Sequence, residues 1–451
     1  MIPTYLNMKD SGAEWLGDIP ADWKPYRLGM LGYFSASGID KKIVEGEPLV
    51  QMVNYTDVYG SVTKELAPYA GLMTVSCPEE KIRYHSLAIG DILFTPSSET
   101  ADDIAYSAVV VKDMPNTVYS YHLIRFRPKA DIAVGYRKYL CNNRFVLSQF
   151  TRTCKGTTRQ ILVRDDFKNI VVVIPPSGEQ ETITSFLDRK TALIDDLIAK
   201  RVRQIELLQE QRTALISRVV TKGLNPDVPM KDSGVEWIGR IPSHWKVERS
   251  KVVFREVNDR HNGSEQELLT VSHITGVTRR SEKNVNMFLA ESTEGYKKCV
   301  AGDLVINTMW AWMGALGMAT LSGIVSPAYN VYRFRHNGFS PDYYDKMFRS
   351  SVFITEINRW SKGIWSSRLR LYPNEFFEIR IPVPPDTEQK RIAEYLQQKI
   401  SGIEKFVVKT QESIALLREY RNAIISAAVT GKIDVRNWQP SSEPAEESLH
   451  A

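Results

Sequence analysis

The amino-acid sequence predicts an α+β protein made of two tandem globular heads of mixed α/β structure, each followed by one long helix. Three observations support this fold class: the chain contains an internal duplication, each copy carries many short apolar segments, and each copy ends in a long proline-free stretch. At 451 residues the chain is too long for one ordinary domain, since a domain has roughly 150 residues. We expect the two helices to form an antiparallel coiled coil with pseudo-two-fold symmetry.

The duplication is visible as two pairs of matching segments. Residues 8–24 read MKDSGAEWLGDIPADWK and residues 230–246 read MKDSGVEWIGRIPSHWK, with 12 of 17 positions identical. The segment PPSGEQETITSFLDRK begins at Pro175 and matches PPDTEQKRIAEYLQQK, which begins at Pro384. The offset between the copies is 222 residues in the first pair and 209 in the second, so the portion between them is 13 residues shorter in the second copy. Each copy is therefore a variable block followed by a block of fixed length.

The fixed-length blocks have the pattern of long helices. They run from residue 180 to about 223 and from residue 389 to about 431, without proline. Apolar residues recur in both at heptad spacing, which is typical of coiled-coil packing. The apolar seam of the first helix, 187–219, covers 33 residues, or roughly 50 Å at 1.5 Å per residue. The sequence leaves open the alternative that each helix packs only on its own head.

The variable blocks are expected to contain short strands and short helices. The predicted strands are 91–95, 121–128 and 169–176 in the first block, and 303–308, 329–336 and 378–385 in the second. Short helices are predicted at 135–150 and 341–357. The repeated tryptophans are expected to be structural anchors that seat each head on a helix end; they are Trp15, Trp23, Trp237 and Trp245.

These patterns predict five segments. They are a first head at 1–177, a first spacer helix at 178–225, a second head at 226–385, a second spacer helix at 386–435 and a disordered tail at 436–451. The tail, with its SSEPAEES stretch, lies outside the repeated pattern and has the polar composition of a disordered segment.

Composition and charge narrow the class of protein. A net charge of +5 and an isoelectric point near 8.8 permit nucleic-acid binding without demonstrating it. The four cysteines are scattered and contain no CxxC pair, which argues against a zinc site and against a disulfide framework. The sequence contains no run of 18 apolar residues and no signal peptide. We therefore expect a cytoplasmic protein that has no membrane partner.

The sequence lacks the motifs of catalysis. It contains no NPPY-type methyltransferase motif, no GxxxxGK[ST] nucleotide loop and no cluster of histidine, cysteine and carboxylate residues at metal-ligand spacing. We therefore expect that the protein is not an enzyme, that it has no cofactor and no metal, and that partners supply any catalysis.

Two basic stretches at equivalent positions are the main candidates for contact with DNA. They read RTCKGTTRQILVR at 152–164 and RWSKGIWSSRLR at 359–370, and neither contains an acidic residue. Lysine and arginine neutralise phosphates, hydroxyl groups donate at short reach, and Gly156 and Gly363 are expected to let the backbone approach a ligand closely. The candidates are Arg152, Lys155, Thr157, Thr158, Arg159, Arg164, Arg359, Lys362, Ser366, Ser367, Arg368 and Arg370. An ordinary solvated basic loop is the alternative interpretation.

The loops that follow the two GD strands are candidates for reading bases. Residues 95–103 read TPSSETADD and residues 307–314 read NTMWAWMG, so equivalent positions differ in chemistry. Readers of two different base sequences require this kind of difference. Core packing is the expected role of Trp310 and Trp312, with stacking as the alternative.

One further pair of equivalent positions precedes the RFR segments. Tyr121 and His122 in the first copy correspond to Tyr329 and Asn330 in the second. An asparagine amide can pair with an adenine edge through one donor and one acceptor. Asn330 is therefore added to the candidate DNA contacts.

The order of these motifs resembles that of a known family. The WxGxIPxxW motif, the strand that begins with GD, the basic KG loop and the EQ at the start of a long helix resemble the specificity subunits of type I restriction-modification systems. The resemblance extends from Met8 to about Val435, and the order of the motifs, repeated twice, makes it specific. It implies that each head is a target recognition domain that reads one half of a split, asymmetric sequence in double-stranded DNA.

The resemblance also implies partners. The two helices would act as a spacer that fixes the gap between half-sites, and would dock two methyltransferase subunits that restriction and translocation subunits can join. Two alternatives stay open. One is a recognition module for a fused single-chain restriction-methylation enzyme, and the other is a coiled-coil scaffold that binds proteins instead of DNA.

Overall fold

The computed structural model of the chain describes residues 3–13, 15–262, 266–283, 293–363 and 369–439. The chain divides into two compact units: unit 1 comprises Met1–Arg201 and Glu412–Ala451, and unit 2 comprises Val202–Gln411. Each unit therefore contains one variable block together with part of both long helices. The five-segment division of the sequence is a different description of the chain, and its boundaries stay a prediction.

The first variable block consists of short strands and short helices. Its strands are β1 (Met8–Asp10), β2 (Asp18–Pro20), β3 (Lys24–Arg27), β4 (Gly32–Ala36), β5 (Leu49–Val53), β6 (Glu65–Leu66), β7 (Met73–Ser76), β8 (Ile92–Phe94), β9 (Ser97–Ser98), β10 (Ser107–Val110), β11 (Thr117–Tyr119), β12 (Ile124–Pro128), β13 (Gln160–Ile161) and β14 (Val171–Ile174). Its helices are α1 (Leu28–Leu31), α2 (Tyr55–Tyr59), α3 (Glu79–His85), α4 (Val134–Asn142), α5 (Arg144–Thr153) and α6 (Arg164–Asn169), and the long helix α7 (Ser177–Lys222) follows.

The second variable block repeats this arrangement. Its strands are β15 (Met230–Asp232), β16 (Arg240–Pro242), β17 (Lys246–Arg249), β18 (Phe254–Val257), β19 (Leu269–Ser272), β20 (Gly276–Arg279), β21 (Lys297–Cys299), β22 (Leu304–Asn307), β23 (Leu316–Met318), β24 (Gly323–Val325), β25 (Tyr329–Phe334) and β26 (Arg380–Val383). Its helices are α8 (Ser250–Val253), α9 (Pro341–Phe348), α10 (Ser351–Trp360) and α11 (Pro373–Glu378), and the long helix α12 (Asp386–Val429) follows.

The expected mixed α/β character of the chain is confirmed, and so are all six strands predicted above. The two short helices predicted from sequence are each divided in two. The break in the first lies at Asn143, whose side chain accepts a hydrogen bond from the Val146 amide at 3.0 Å and so begins α5. The break in the second lies at Ser350, whose hydroxyl accepts from the Phe353 amide at 3.4 Å and begins α10. Side chains that cap a helix start compete with continuation of the preceding helix.

A central sheet forms the core of each variable block. Its strand order is β4-β12-β8-β10-β6 in unit 1 and β18-β25-β22-β23 in unit 2. The pairs in both sheets are antiparallel except β10 with β6. The first head also contains the three-stranded sheet β11-β5-β7, and the second head also contains the two-stranded sheets β19-β20 and β21-β24.

An ion pair with a buried carboxylate at each central sheet explains the GD and RFR segments. In unit 1, Asp91 is buried and accepts hydrogen bonds from Nε and Nη2 of Arg127, at 2.7 and 2.6 Å. In unit 2, Asp303 is buried and accepts from the same two atoms of Arg333, at 2.7 and 2.8 Å. These hydrogen bonds raise the pKa of both guanidinium groups above the ordinary value. Since a buried carboxylate needs a partner, these residues have a structural role.

The EQ segment at the start of each long helix connects the helix to its head. Glu179 accepts a hydrogen bond from the indole of Trp23 at 3.0 Å, and Glu388 accepts one from the indole of Trp245 at 3.0 Å. In each case the following glutamine accepts from a backbone amide of the head at 2.8 Å. Both tryptophans are fully buried. Their predicted role as anchors is confirmed.

The other two tryptophans of the repeated motif behave differently. Trp15 is 51% exposed, which does not fit its predicted role as a structural anchor. The ring of Trp237 packs edge-on against Phe353 at 5.3 Å, and its indole donates to the backbone carbonyl of Arg380 at 3.2 Å. The two members of this equivalent pair therefore differ: the second-copy ring packs against Phe353, and the first-copy ring is half exposed.

The long helices contact each other inside each unit. In unit 1, Ile194 of α7 and Ile424 of α12 belong to one core cluster, and Arg421 donates to both carboxylate oxygens of Asp195 at 2.8 and 3.0 Å. In unit 2, Arg212 lies 3.3 Å from Glu404. The first part of α7 thus meets the last part of α12 in unit 1. These contacts favour mutual packing over the alternative in which each helix packs only on its own head.

The beginning of the expected disordered tail is ordered. Trp438 packs edge-on against Phe186 at 5.5 Å, and the guanidinium of Arg436 lies 4.9 Å from the ring centre of Tyr5. The prediction of disorder is therefore wrong for residues 436–439, while residues 440–451 lie outside the described part of the chain. Among the described residues, none of the helices is long and apolar enough to cross a membrane.

Candidate nucleic-acid interface

The basic stretch of unit 1 forms a closed loop after α5. Lys155 and Ile161 exchange two backbone hydrogen bonds, at 3.1 and 2.9 Å, which close the loop over residues 156–160. Gly156 has a φ of 140°, and a Cβ atom there would overlap the carbonyl oxygen of Arg159. The loop's own backbone therefore explains this glycine, and the expectation that it admits a ligand finds no support here.

This loop lies beside loop 95–103, which follows the GD strand. Strand β13 pairs with β9, and the amide of Leu162 donates to the carbonyl of Pro96 at 2.8 Å. Leu162 is buried, so the junction of the two loops is attached to the core. The structure thus brings together two loops that the sequence suggested separately, one for phosphate contact and one for base contact.

The cations of this first loop face solvent. Among the described residues, no carboxylate lies within ion-pair distance of Lys155 or Arg159. The exposed candidates in unit 1 are Arg152, Lys155, Thr157, Thr158, Arg159 and Arg164. An exposed cation without an acidic partner is available to a phosphate.

An aromatic pair that the sequence analysis did not identify supports loop 95–103. The hydroxyl of Tyr55 donates to the carbonyl of Ser97 at 3.0 Å, and the Tyr55 ring stacks on Tyr59 at 5.7 Å. The hydroxyl of Tyr59 donates to Asp103 at 2.5 Å, and this hydrogen bond raises the pKa of Tyr59 to about 12. Their spacing of four residues could have indicated a helical pair. Comparison of the two copies did not reveal Tyr55 and Tyr59, because α2 lies in the variable block, outside the matching segments.

The basic loop of unit 2 is closed in the same way. Lys362 and Arg370 exchange two backbone hydrogen bonds, both at 2.9 Å. The amide of Leu371 donates to the carbonyl of Thr308 at 3.2 Å, and Leu371 is buried as Leu162 is. The junction between the KG loop and the loop after the GD strand is therefore present in both units.

The charges of the second loop are compensated by acids from other parts of the chain. Lys362 forms an ion pair with Glu375, whose pKa is lowered chiefly by this hydrogen bond. Arg359 lies 3.0 Å from Glu236 and 3.3 Å from Glu356. The absence of acids within the stretch suggested free cations, and for Arg359 and Lys362 that suggestion is wrong.

The remaining candidates in this stretch divide into two groups. Arg370 is exposed, as a phosphate contact requires. Ser366, Ser367 and Arg368 lie outside the described residues. Their contact with DNA stays a prediction from the sequence.

Two base-reading predictions in unit 2 need correction. Asn330 is 8% exposed, and its Oδ1 accepts a hydrogen bond from the ammonium of Lys297 at 3.1 Å. A buried amide with an internal partner does not reach a base edge, so Asn330 leaves the candidate set. Trp310 is 50% exposed, and its ring stacks on Trp312 at 6.3 Å with an interplanar angle of 16°. The expected core packing is therefore wrong for Trp310.

The chemistry of these surfaces suits binding. Among the described residues, no group of three or more histidine, cysteine or carboxylate side chains is placed to hold a metal ion. Cys77, Cys141, Cys154 and Cys299 are free thiols. The surfaces present cations, hydroxyl groups and aromatic rings, which are the groups that contact phosphates and bases.

Comparison with known proteins agrees with this arrangement. A family model described as the type I restriction modification DNA specificity domain matches residues 20–207, which include the first KG loop. The putative type I restriction enzyme MjaX specificity subunit of Methanocaldococcus jannaschii is 23% identical over 439 residues, 93% of this chain and 96% of that protein. Both matches support a specificity subunit of a type I restriction-modification system. The MjaVIII specificity subunit of the same organism is 26% identical over 299 residues, 63% of this chain and 67% of that protein.

A solved structure extends the agreement to the fold. A chain from a structure of the type I restriction-modification system has a TM-score of 0.66 and 15% identity, and the match covers 92% of this chain and 99% of that one. At this identity the likeness concerns the fold. Specificity subunits are the non-catalytic components of type I systems, so the expectation that this chain is not an enzyme is confirmed by its relatives.

Proposed function

We propose that this chain reads a bipartite, asymmetric site in double-stranded DNA, with each head contacting one half-site. The observation that carries the proposal is the recurring junction, in which a buried leucine after the KG loop donates its amide to the loop after the GD strand. The scaffold is the same in both heads while the exposed groups differ. Two readers of different half-sites require this combination.

Within each head, we assign phosphate contact to the KG loop and base contact to the adjoining loop. Phosphate contacts fix the position of a protein on DNA, while contacts with base edges give the specificity. In unit 1, the adjoining loop 95–103 supplies hydroxyl and carboxylate groups. In unit 2, Met309 and Trp310 are exposed at the equivalent place. Polar groups can pair with base amino groups, and apolar groups can contact a thymine methyl group.

We further propose that the long helices dock two methyltransferase subunits, which restriction and translocation subunits join in the cytoplasm. Large apolar side chains are exposed on both helices, and contiguous exposed apolar surface is typical of an interface. They include Val202 and Leu207 on α7, and Phe406, Leu416 and Tyr420 on α12. The partners supply the chemistry, so the proposal includes no cofactor for this chain.

The helices are proposed to pair as an antiparallel coiled coil with pseudo-two-fold symmetry and to determine the gap between half-sites. The contacts of α7 with α12 in each unit support the pairing. The helices have 46 and 44 residues without interruption, which supports a rigid spacer. The equivalence of the two copies is what supports the proposed symmetry.

Removal of one heptad from each helix is expected to shorten the preferred gap. Equivalent deletions are residues 203–209 in α7 and 412–418 in α12. Seven residues correspond to roughly 10 Å of helix, and roughly 10 Å of duplex is about three base pairs. Methylation by the complete complex, measured on duplexes whose half-sites are separated by different gaps, should show an optimum about three base pairs shorter.

The control keeps both helices at full length and replaces with alanine only the exposed polar and charged residues of the same two heptads, so that Leu207 and Leu416 stay in place. It should leave the optimum gap where it is in the wild type. An active double deletion with the wild-type gap would contradict the spacer role of the helices without contradicting DNA recognition by the heads.

A further inference from the structure

Tyr121 and His122 form an aromatic pair in the turn before β12. Their ring centres lie 3.8 Å apart. The backbone amide of Tyr121 donates to the carbonyl of Ile39 at 3.0 Å, which fixes the turn against the segment that carries Asp40 and Lys41. Tyr121 is exposed and His122 is half-buried. The pair therefore has a defined position at the surface of the first head.

The surroundings of His122 combine two cations with a partly desolvated ring. Partial burial is the main cause that lowers the pKa of His122 below its ordinary value. The positive charges of Lys41 and Arg159 lower this pKa further, and the negative charge of Asp40 opposes them. This direction of shift favours the neutral imidazole. Among the described residues, no group forms a hydrogen bond with its ring nitrogens. One donor and one acceptor are free for a ligand.

Arg159 connects this pair to the candidate interface. It belongs to the KG loop, whose strand β13 pairs with β9 in loop 95–103. A DNA phosphate bound by Arg159 and Lys41 would place the adjacent base edges near the imidazole. A neutral group with one donor and one acceptor suits a base edge, whereas a cation suits a phosphate.

The equivalent position in the second head is occupied differently. Asn330 points into the head and its amide oxygen is bonded to Lys297, while Met309 and Trp310 are exposed near the basic loop. The two heads therefore present different exposed groups beside the same junction. The imidazole is a feature of the first head.

We propose that His122, positioned by Tyr121, determines specificity in the first head by reading a base edge in its half-site. The inference rests on the proposed function and makes it more specific, since it names the reading group. It predicts that loss of the imidazole relaxes one half of the recognition sequence and leaves the other half unchanged.

The test compares genomic adenine methylation, by single-molecule sequencing, in strains that carry the complete system with wild-type chain, His122→Ala or His122→Asn. With His122→Ala, we expect methylation to spread to sites with a changed base in one half-site, as discrimination there falls roughly tenfold. His122→Asn presents a donor and an acceptor at a different reach, so we expect it to retain a base preference at that position with weaker discrimination than the wild type. The control is His336→Ala, which removes an exposed histidine of unit 2 and should leave the motif unchanged.

The outcomes separate the inference from the function on which it rests. An unchanged motif in the His122→Ala strain overturns the inference, and so does an equal relaxation of both half-sites. If His122→Ala abolishes methylation, the test uses the His122→Asn strain instead. A wild-type motif with wild-type discrimination in that strain overturns the inference. The proposed function itself is contradicted if the wild-type strain shows no bipartite methylation motif, or shows one that does not depend on this chain.

Discussion

Replacement of Lys155 and Arg159 together with alanine is expected to weaken binding to every duplex sequence and to reduce its dependence on salt. Both side chains are exposed, and among the described residues neither has an acidic partner, so both charges are available to phosphates. Each phosphate contact contributes about 0.9 to the slope of log K against log salt concentration, so the slope should fall by about 2. Fluorescence anisotropy of the complete complex on labelled duplexes, at several salt concentrations, measures both quantities.

Two control variants make this result specific. The double replacement of Arg359 and Lys362 should reduce the slope less, because acidic side chains already compensate these cations. Replacement of the exposed Lys112 should change neither affinity nor slope. This residue follows the end of β10, which lies beside the start of β8, whereas loop 95–103 follows the end of β8. Wild-type affinity and slope after replacement of Lys155 and Arg159 would exclude the first KG loop from the interface.

Replacement of Trp23 with alanine is expected to cause the largest loss of stability in unit 1. The indole is fully buried and donates to Glu179, and its ring meets Tyr5 edge-on at 5.8 Å. Truncation of a buried tryptophan costs about 3–5 kcal/mol, a large share of the ~5–15 kcal/mol that stabilises a typical domain. For a unit of this size the melting temperature should fall by on the order of 10 °C. Differential scanning calorimetry measures the shift.

Trp15 provides a matched control within the same repeated motif. Its side chain is half exposed, so its replacement with alanine should change the stability by less than about 0.5 kcal/mol. Equal destabilisation by the two replacements would show that burial against Glu179 does not distinguish these tryptophans. A melting temperature unchanged by Trp23→Ala would contradict its role as the anchor between head and helix.

The sequence allowed prediction of features that depend on local pattern and on repetition. Short apolar runs located the strands, and proline-free heptads located α7 and α12, because both patterns are set by the geometry of the element itself. The duplication also indicated which positions are equivalent. Recurrence of the KG loop therefore predicted a shared surface, and the structure shows the same junction at Leu162 and Leu371.

The features that the sequence did not predict depend on contacts between distant segments. The partners of Arg359 and Lys362 include Glu236 and Glu375, and no pattern within residues 359–370 reveals them. Asn330 lies in β25, which is paired on both sides by β18 and β22. Three consecutive residues of this strand are buried, so alternation of polar and apolar residues did not show which side chains face the interior.

The most direct test of the account is the adenine methylation pattern of a strain that carries the complete system, compared with a strain from which only this chain is deleted. We predict one bipartite motif, with two different half-sites and a fixed gap, that disappears when the chain is absent. Exchange of the first variable block for that of another specificity subunit should change one half-site and keep the other. A motif that persists without the chain, or a continuous palindrome, would contradict the account.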